Sequence, residues 1–201
     1  MYEVELKVRA DHEPVRERLH ERGAEPLGFV DQVDTYYDHP GRSFADTDEA
    51  LRVRREDPDD GDARTRLTYK GPLVESASKT RQEVETGVSD ADALDAILRE
   101  LGFEPLPAVR KERERFSLGG YTVVLDAVEG AGTFVEVERE GREGEIEEIR
   151  EGARDLLRDL GPDPDDHVRT SYLELVLGAN GDAVDGSENA VEGSGDGGFE
   201  E

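Results

Sequence analysis

Charged and apolar residues alternate with period two in one segment of this chain after another. Glu3, Glu5 and Lys7 are interleaved with Tyr2, Val4 and Leu6. Arg52 and Arg54 alternate with Leu51 and Val53, and Arg64, Arg66, Thr68 and Lys70 stand opposite Leu67 and Tyr69. Arg81, Glu83 and Glu85 share a face, as do Lys111, Arg113 and Arg115, where Glu112 and Glu114 make the second face polar too. Asp126 stands among Thr122, Val124 and Val128, and Glu136 and Glu138 alternate with Val135 and Val137. Period two is the signature of a β-strand whose two parities point to opposite faces. Any one of these sets reads equally well as the solvated outer face of a sheet. Recurring in nearly every strand, they demand a fold that covers the apolar faces and gives the charged faces water or counter-charge.

The 201 residues suffice for one sizeable domain or two small ones. Hydrophobic content is 34%, charged content 38% and formal net charge −26. So acidic a surface is expected to avoid nucleic acid and anionic membranes. No apolar run approaches the length of a bilayer span, and no signal-peptide pattern precedes the first strand, so a cytoplasmic protein is expected. The lack of Cys removes disulfides and thiolate metal sites. Among the bases, 21 Arg stand against 4 Lys. Abundant acids with scarce Lys read as a halophile-like surface, whose dense charge is screened at high salt. Lys7, Lys70 and Lys111 nonetheless occupy charged positions in strand-like segments, while Lys79 reads as loop decoration.

Three amphipathic helices are expected. Asp11–Arg22 carries Pro14 in its first turn and stops at Gly23; Asp90–Leu101 follows Ser89 as N-cap, buries Leu94, Ile97, Leu98 and Leu101, and stops at Gly102; Glu145–Leu160 stops at Gly161 but contains Gly152. Eight strands are expected at Glu3–Arg9, Val33–Asp38, Ala50–Arg55, Arg64–Lys70, Thr80–Val88, Arg110–Ser117, Tyr121–Val128 and Thr133–Arg139, with hairpin turns at Asp57–Asp62 and Gly119–Gly120. Tyr172–Leu177 is expected to add a short closing element. Residues 179–201 hold seven acids and no base, and read as a disordered acidic tail after a domain over 1–178 that keeps a net charge of −19. An internal repeat runs through the domain. Glu3-Val4-Glu5, a helix, Gly23 and Glu25-Pro26-Leu27 return 79 or 80 residues later as Glu83-Val84-Glu85, a helix, Gly102 and Glu104-Pro105-Leu106. Two such halves suggest a pseudo-two-fold in which each contributes a carboxylate pair to one space.

Closing the strands into a barrel with the helices outside would turn the charged faces inward. An eight-stranded barrel has room for side chains or one small ligand. A lumen of many Arg and Lys with fewer Asp and Glu would be very costly if dry and empty. It suits a polyanion with metal ions: triphosphate oxygens take Arg and Lys donors, and Mg²⁺ takes carboxylates while keeping waters.

Glu3-Val4-Glu5-Leu6-Lys7 matches the ExExK signature of the CYTH superfamily, the triphosphate tunnel metalloenzymes. The ordered set Asp34-Thr35-Tyr36-Tyr37-Asp38, Leu51-Arg52-Val53-Arg54, Tyr69-Lys70-Gly71-Pro72, Arg81-Gln82-Glu83, Lys111-Glu112-Arg113, Leu125-Asp126 and Phe134-Val135-Glu136-Val137-Glu138 extends the resemblance to about residue 178. Tyr2–Val8 and Ser171-Tyr172 resemble the class IV adenylate cyclase branch in particular. The resemblance implies an α+β fold, an eight-stranded antiparallel β-barrel tunnel with a polar lumen and about three covering helices. It implies that Glu3, Glu5, Asp126, Glu136 and Glu138 serve divalent metal ions, Mg²⁺ or Mn²⁺, and that Lys7, Arg52, Arg54, Lys70, Lys111 and Arg113 grip phosphates. Arg81 joins the substrate-binding set, its role and that of Glu83 and Glu85 undivided between salt bridging and substrate contact. Glu3, Glu5, Lys7 and Asp126 are the expected catalytic residues. The implied activity is conversion of ATP to 3',5'-cyclic AMP and pyrophosphate. The alternatives are hydrolysis of inorganic, thiamine or nucleoside triphosphate, and a non-catalytic polyphosphate-binding module. A small triphosphate, ATP foremost, is the expected partner, with no nucleic acid or membrane; a homodimer is compatible with the sequence.

Overall fold

A computed structural model of the chain describes residues 2–72 and 79–185. Nine antiparallel strands form one sheet: β1 (Tyr2–Arg9), β2 (Glu25–Asp38), β3 (Ala50–Pro58), β4 (Arg64–Lys70), β5 (Lys79–Val88), β6 (Glu104–Pro105), β7 (Val109–Leu118), β8 (Tyr121–Val128) and β9 (Gly132–Gly141). The sheet order β3-β4-β5-β1-β9-β8-β7-β2 closes through a β2–β3 pairing, and the two-residue β6 adds to β2 outside the ring. Closure gives the eight-stranded barrel expected from the alternation and leaves the ring without an open edge.

The helices are α1 (His12–Glu21), α2 (Phe44–Thr47), α3 (Ala91–Glu100), α4 (Ile146–Leu160) and α5 (Tyr172–Asp185). Val15 and Leu19 of α1, with Ala153, Leu157 and Leu160 of α4, cover the outward-facing Leu6, Val8, Val123, Leu125, Val135 and Val137. Burying each such side chain contributes roughly 1.5–3 kcal/mol, so the outside of the β1–β9–β8 wall is the main core. The barrel is therefore apolar outside and charged inside.

The sequence repeat is visible in the pairing. β1 lies beside its repeat mate β5, and β2 beside β7, as a pseudo-two-fold between those pairs requires. Gly23 and Gly102 both adopt positive φ, 71° and 86°, at equivalent helix ends, a conformation that favours glycine. The halves are clothed unequally. Val4 is fully buried under Ile146 and Ile149 of α4, whereas its repeat mate Val84 is 60% exposed.

Several local expectations change. β2 starts at Glu25 rather than Val33, with a bulge against β7 between Pro26 and Gly28. The N-cap of α3 is Asp90, whose carboxylate accepts from the Ala93 amide, and not Ser89. Leu98 of α3 is buried, but Ile97 and Leu101 are 56% and 64% exposed, and among the described residues no helix equivalent to α4 covers them. Lys79 begins β5, opposite Glu5 in register, and is not in a loop. The closing element at Tyr172 is a helix that continues through Ala179, the expected start of the tail, to Asp185; residues 186–201 lie outside the described residues. Among the described residues no helix is long and apolar enough to cross a membrane.

Candidate functional site

The inward parity of the ring strands lines a cavity of about 540 Å³. It collects Glu3, Glu5 and Lys7 from β1, Arg52 and Arg54 from β3, and Lys70 from β4. Arg81 comes from β5, Lys111 and Arg113 from β7, and Glu136 and Glu138 from β9. Asp126 of β8 is fully buried against Lys111 and Arg113 in the same wall. Every candidate site residue thus points to the lumen side.

Register decides how these charges meet. Glu5 lies opposite Glu138, and Lys7 opposite Glu136, across β1 and β9. Carboxylate oxygens of Glu5, Glu136 and Glu138 all come within 4.8 Å of one another. Burial, then the charge of Glu3, pushes the Glu138 carboxyl up to about 8. Burial, then Glu5, raises Glu136. Burial lifts Glu3 to about 6 against the opposing pull of Lys70. Carboxylates forced together in low dielectric resist ionisation, and a hard cation relieves that repulsion. The donor set, all oxygen and all carboxylate, therefore fits a divalent metal ion, with Glu3 close by.

Asp126, expected among the metal ligands, lies outside the trio. The Arg113 guanidinium donates to it through Nε at 2.7 Å and through Nη2, Nη2 also reaches Glu136 at 2.7 Å, and Lys111 Nζ lies 3.3 Å away. Burial would raise Asp126, but Arg113 and Lys111 overcome it and hold the carboxyl well below its usual range. Burial and the neighbouring Arg113 lower Lys111 to about 8. Asp126 thus aims two cationic groups, and Arg113 links it to the carboxylate trio.

On the adjoining β4–β5 wall the repeat's second carboxylate pair is neutralised. Glu83 accepts from Lys70, which also lies 3.5 Å from Glu3, and Glu85 accepts from Arg66 and from Thr68 Oγ1 at 3.0 Å. Arg81 donates to the Asp48 carbonyl at 2.7 Å. The pseudo-two-fold so gives one wall of clustered carboxylates and one of ion pairs.

Sequence reasoning left three lumen residues without a role. Asp34 is 1% exposed and takes two bonds from Arg54, at 2.7 and 2.8 Å, with Arg52 3.8 Å away. Gln32 is buried beside it and donates to Glu56 at 2.5 Å. They share the inward parity of β2 with Val30 and Tyr36, so no run of charge marked that face. The third, Tyr172, opens α5 and lays its ring on Phe134 among Val109, Val128 and Val176. These stop one end of the tunnel on its β7–β8–β9 side.

Residues 1–172 match the CYTH domain family. A Methanocaldococcus jannaschii protein with the provisional name adenylate cyclase is 37% identical over 177 residues, covering 87% of this chain and 98% of its own. The solved structure of a Pyrococcus horikoshii protein superimposes with a TM-score of 0.81 at 41% identity, covering 88% of this chain and 98% of that one. A Hippeastrum adenylyl-cyclase candidate, described as having a dominant triphosphatase activity, shares the fold with a TM-score of 0.59 at 19% identity, over 88% and 95% of the two chains. By sequence match and by its closed, charge-lined barrel, this chain belongs to the CYTH family.

Proposed function

We propose that this protein is a metal-dependent enzyme acting on a triphosphate, and that it converts ATP to 3',5'-cyclic AMP and pyrophosphate. The observation that carries the reading is the junction of two opposed sets. A carboxylate trio suited to Mg²⁺ or Mn²⁺ touches, through Arg113, a cationic wall suited to phosphates. A binding module for polyphosphate would need the second set and not the first. The name of the M. jannaschii relative, which matches over nearly its whole length, favours the cyclase.

In this reading Lys7, Arg52, Arg54, Lys70, Lys111 and Arg113 hold and neutralise the phosphate chain, Arg by its planar fork and Lys as a point charge. Glu5, Glu136 and Glu138, with Glu3, hold the metal ion, which when bound supplies charge neutralisation at phosphorus and orients the reacting oxygens. Asp126 and Asp34 keep the arginines in place before substrate arrives, so less ordering is left for the reaction itself. The barrel excludes bulk water from the phosphates, which strengthens every one of these contacts.

The test is product analysis. Incubation in high salt with Mg²⁺ or Mn²⁺ and, separately, ATP, tripolyphosphate and thiamine triphosphate should yield cyclic AMP and pyrophosphate from ATP. Glu5→Gln should abolish turnover while the fold survives. Release of orthophosphate without cyclic AMP would overturn the cyclase reading in favour of a triphosphatase. No turnover of any of the three would remove the enzyme reading.

A further inference from the structure

Tyr172 reaches into the tunnel at the α5 end and is 7% exposed. Its ring is held from three strands. Phe134 of β9 meets it near edge-on with centroids 5.0 Å apart, Lys7 Nζ of β1 stands 4.1 Å from its centroid, and Lys111 Nζ of β7 stands 5.0 Å away. Lys7 also donates to the Thr170 carbonyl at 2.9 Å, which ties the turn before Tyr172 to the strand of Glu3 and Glu5. A phenol gripped this way has little freedom to turn its hydroxyl elsewhere.

That hydroxyl is buried and has no hydrogen-bond partner among the described residues. Leaving such a group unpaired is costly, and Phe would fill the same ring site without the cost. Tyr172 lines the same cavity as Glu5, Arg113 and Glu136, so it is set among the groups of the functional site. Burial, then the charges of Glu136 and Asp126, raise the phenol above its usual value, so it keeps its proton. It is therefore a neutral donor on a ring flanked by two ammonium groups and lining the cavity, with no acceptor paired to it among the described residues.

We propose that the Tyr172 hydroxyl is a substrate contact, donating a hydrogen bond to a phosphate oxygen at the α5 end of the tunnel. This rests on the triphosphate reading above. A neutral donor there completes the shell that Lys7 and Lys111 begin, without adding positive charge beside Arg113.

Tyr172→Phe isolates the oxygen, since the ring contacts to Phe134, Lys7 and Lys111 remain. Three measurements are compared with wild type: steady-state turnover of the accepted triphosphate with Mg²⁺, calorimetric titration with tripolyphosphate without metal, and thermal unfolding. The expected result is a fall of about tenfold to a hundredfold in kcat/KM, weaker tripolyphosphate binding, and an unchanged or higher Tm. A loss in either turnover or affinity at undiminished Tm supports the contact. Unchanged turnover and affinity overturn it, because the hydroxyl then makes no contact with the substrate. A lower Tm accompanying the losses also overturns it, since the oxygen then serves the packing of α5. If the wild type turns over no triphosphate, the functional reading fails by itself, and the tripolyphosphate titration still decides the contact.

Discussion

Asp34 and Arg54 face each other across β2 and β3, and the carboxylate takes both of its hydrogen bonds from the one guanidinium. Burial opposes the charge of Asp34, but Arg54 and Arg52 outweigh it and hold the carboxyl well below its usual range. The pair sits inside the tunnel wall, so its charges are positioned before any ligand enters. Asp34→Ala strands a buried guanidinium and should destabilise the fold by about 3–5 kcal/mol. It should lower kcat/KM as well, because Arg54 loses its tether. Adding Arg54→Met to Asp34→Ala should recover most of the stability and none of the activity. Urea denaturation at fixed salt and steady-state kinetics check both halves. Full recovery of activity in the double variant would mean that Arg54 serves only the fold.

Arg113→Ala should cost far more activity than Arg139→Ala. Arg113 is buried on the inward parity of β7, bound to Asp126 and Glu136. Arg139 is exposed on the outward parity of β9, with its guanidinium 5.4 Å from the Tyr121 ring centroid. Removing one preorganised donor from a confined site costs about 2.7–4 kcal/mol of transition-state stabilisation, or a hundredfold or more in kcat/KM. The exposed arginine should change kcat/KM by about twofold at most, as surface charge contacts are weak. Equal, small effects would remove the phosphate-binding wall from the proposed function.

The contrast between these arginines was legible in the sequence, because period two assigns faces without knowledge of the partner strand. Partners were not legible. That Arg113 would meet Asp126, and Glu5 meet Glu138, follows from registers set by hairpin lengths and by closure between β2 and β3. Asp126 could thus be seen as a lumen carboxylate but not as the one held by Arg113 and Lys111. Asp34 and Gln32 were hidden because β2 mixes them with Val30 and Tyr36 on one face. Tyr172–Leu177 is a short apolar run with no period long enough to separate helix from strand. Ile97 and Leu101 show the converse limit. Periodicity marks an apolar helix face, but only the fold reveals that α4 covers Val4 and nothing equivalent covers Val84.

Gly152 is explained by Tyr121. A Cβ at residue 152 would come within 2.1 Å of the Tyr121 hydroxyl oxygen, which donates to the Ile149 carbonyl at 3.0 Å. Glycine in α4 therefore lets the helix lie against β8. Alanine improves helix propensity by about 1 kcal/mol, yet forces Tyr121 to shift within a packed surface, at about 1–3 kcal/mol. Gly152→Ala should be destabilising overall in the wild type and neutral or stabilising in a Tyr121→Ala background. Chemical denaturation of the four proteins of this cycle checks it. Stabilisation by Gly152→Ala alone would show that Tyr121 moves aside freely.

The carboxylate trio makes metal-free stability fall as pH rises through neutrality. Glu138 is raised to about 8 and Glu3 to about 6, while an unfolded glutamate titrates near the ordinary 4.5. Between the unfolded value and about 8 the folded protein holds protons that the unfolded chain has released, so raising the pH costs stability. Asp34 and Asp126 act in the opposite sense, but only below the usual carboxylate range, where lowering the pH removes their ion pairs. Lys111, lowered to about 8, favours the folded state as pH rises above that value and sets the upper limit of the window. His167, lowered by burial, opposes this trend up to its usual value of 6.5, so the Tm of the metal-free protein should decline from pH 6.5 to pH 7.5 at constant ionic strength. A divalent cation competes with those protons, so the Tm increment from millimolar Mg²⁺ or Mn²⁺ should grow over the same range. Glu138→Gln removes the most strongly raised group and should flatten both trends. A metal increment that is independent of pH, or that survives intact in Glu138→Gln, would place the cation away from Glu5, Glu136 and Glu138.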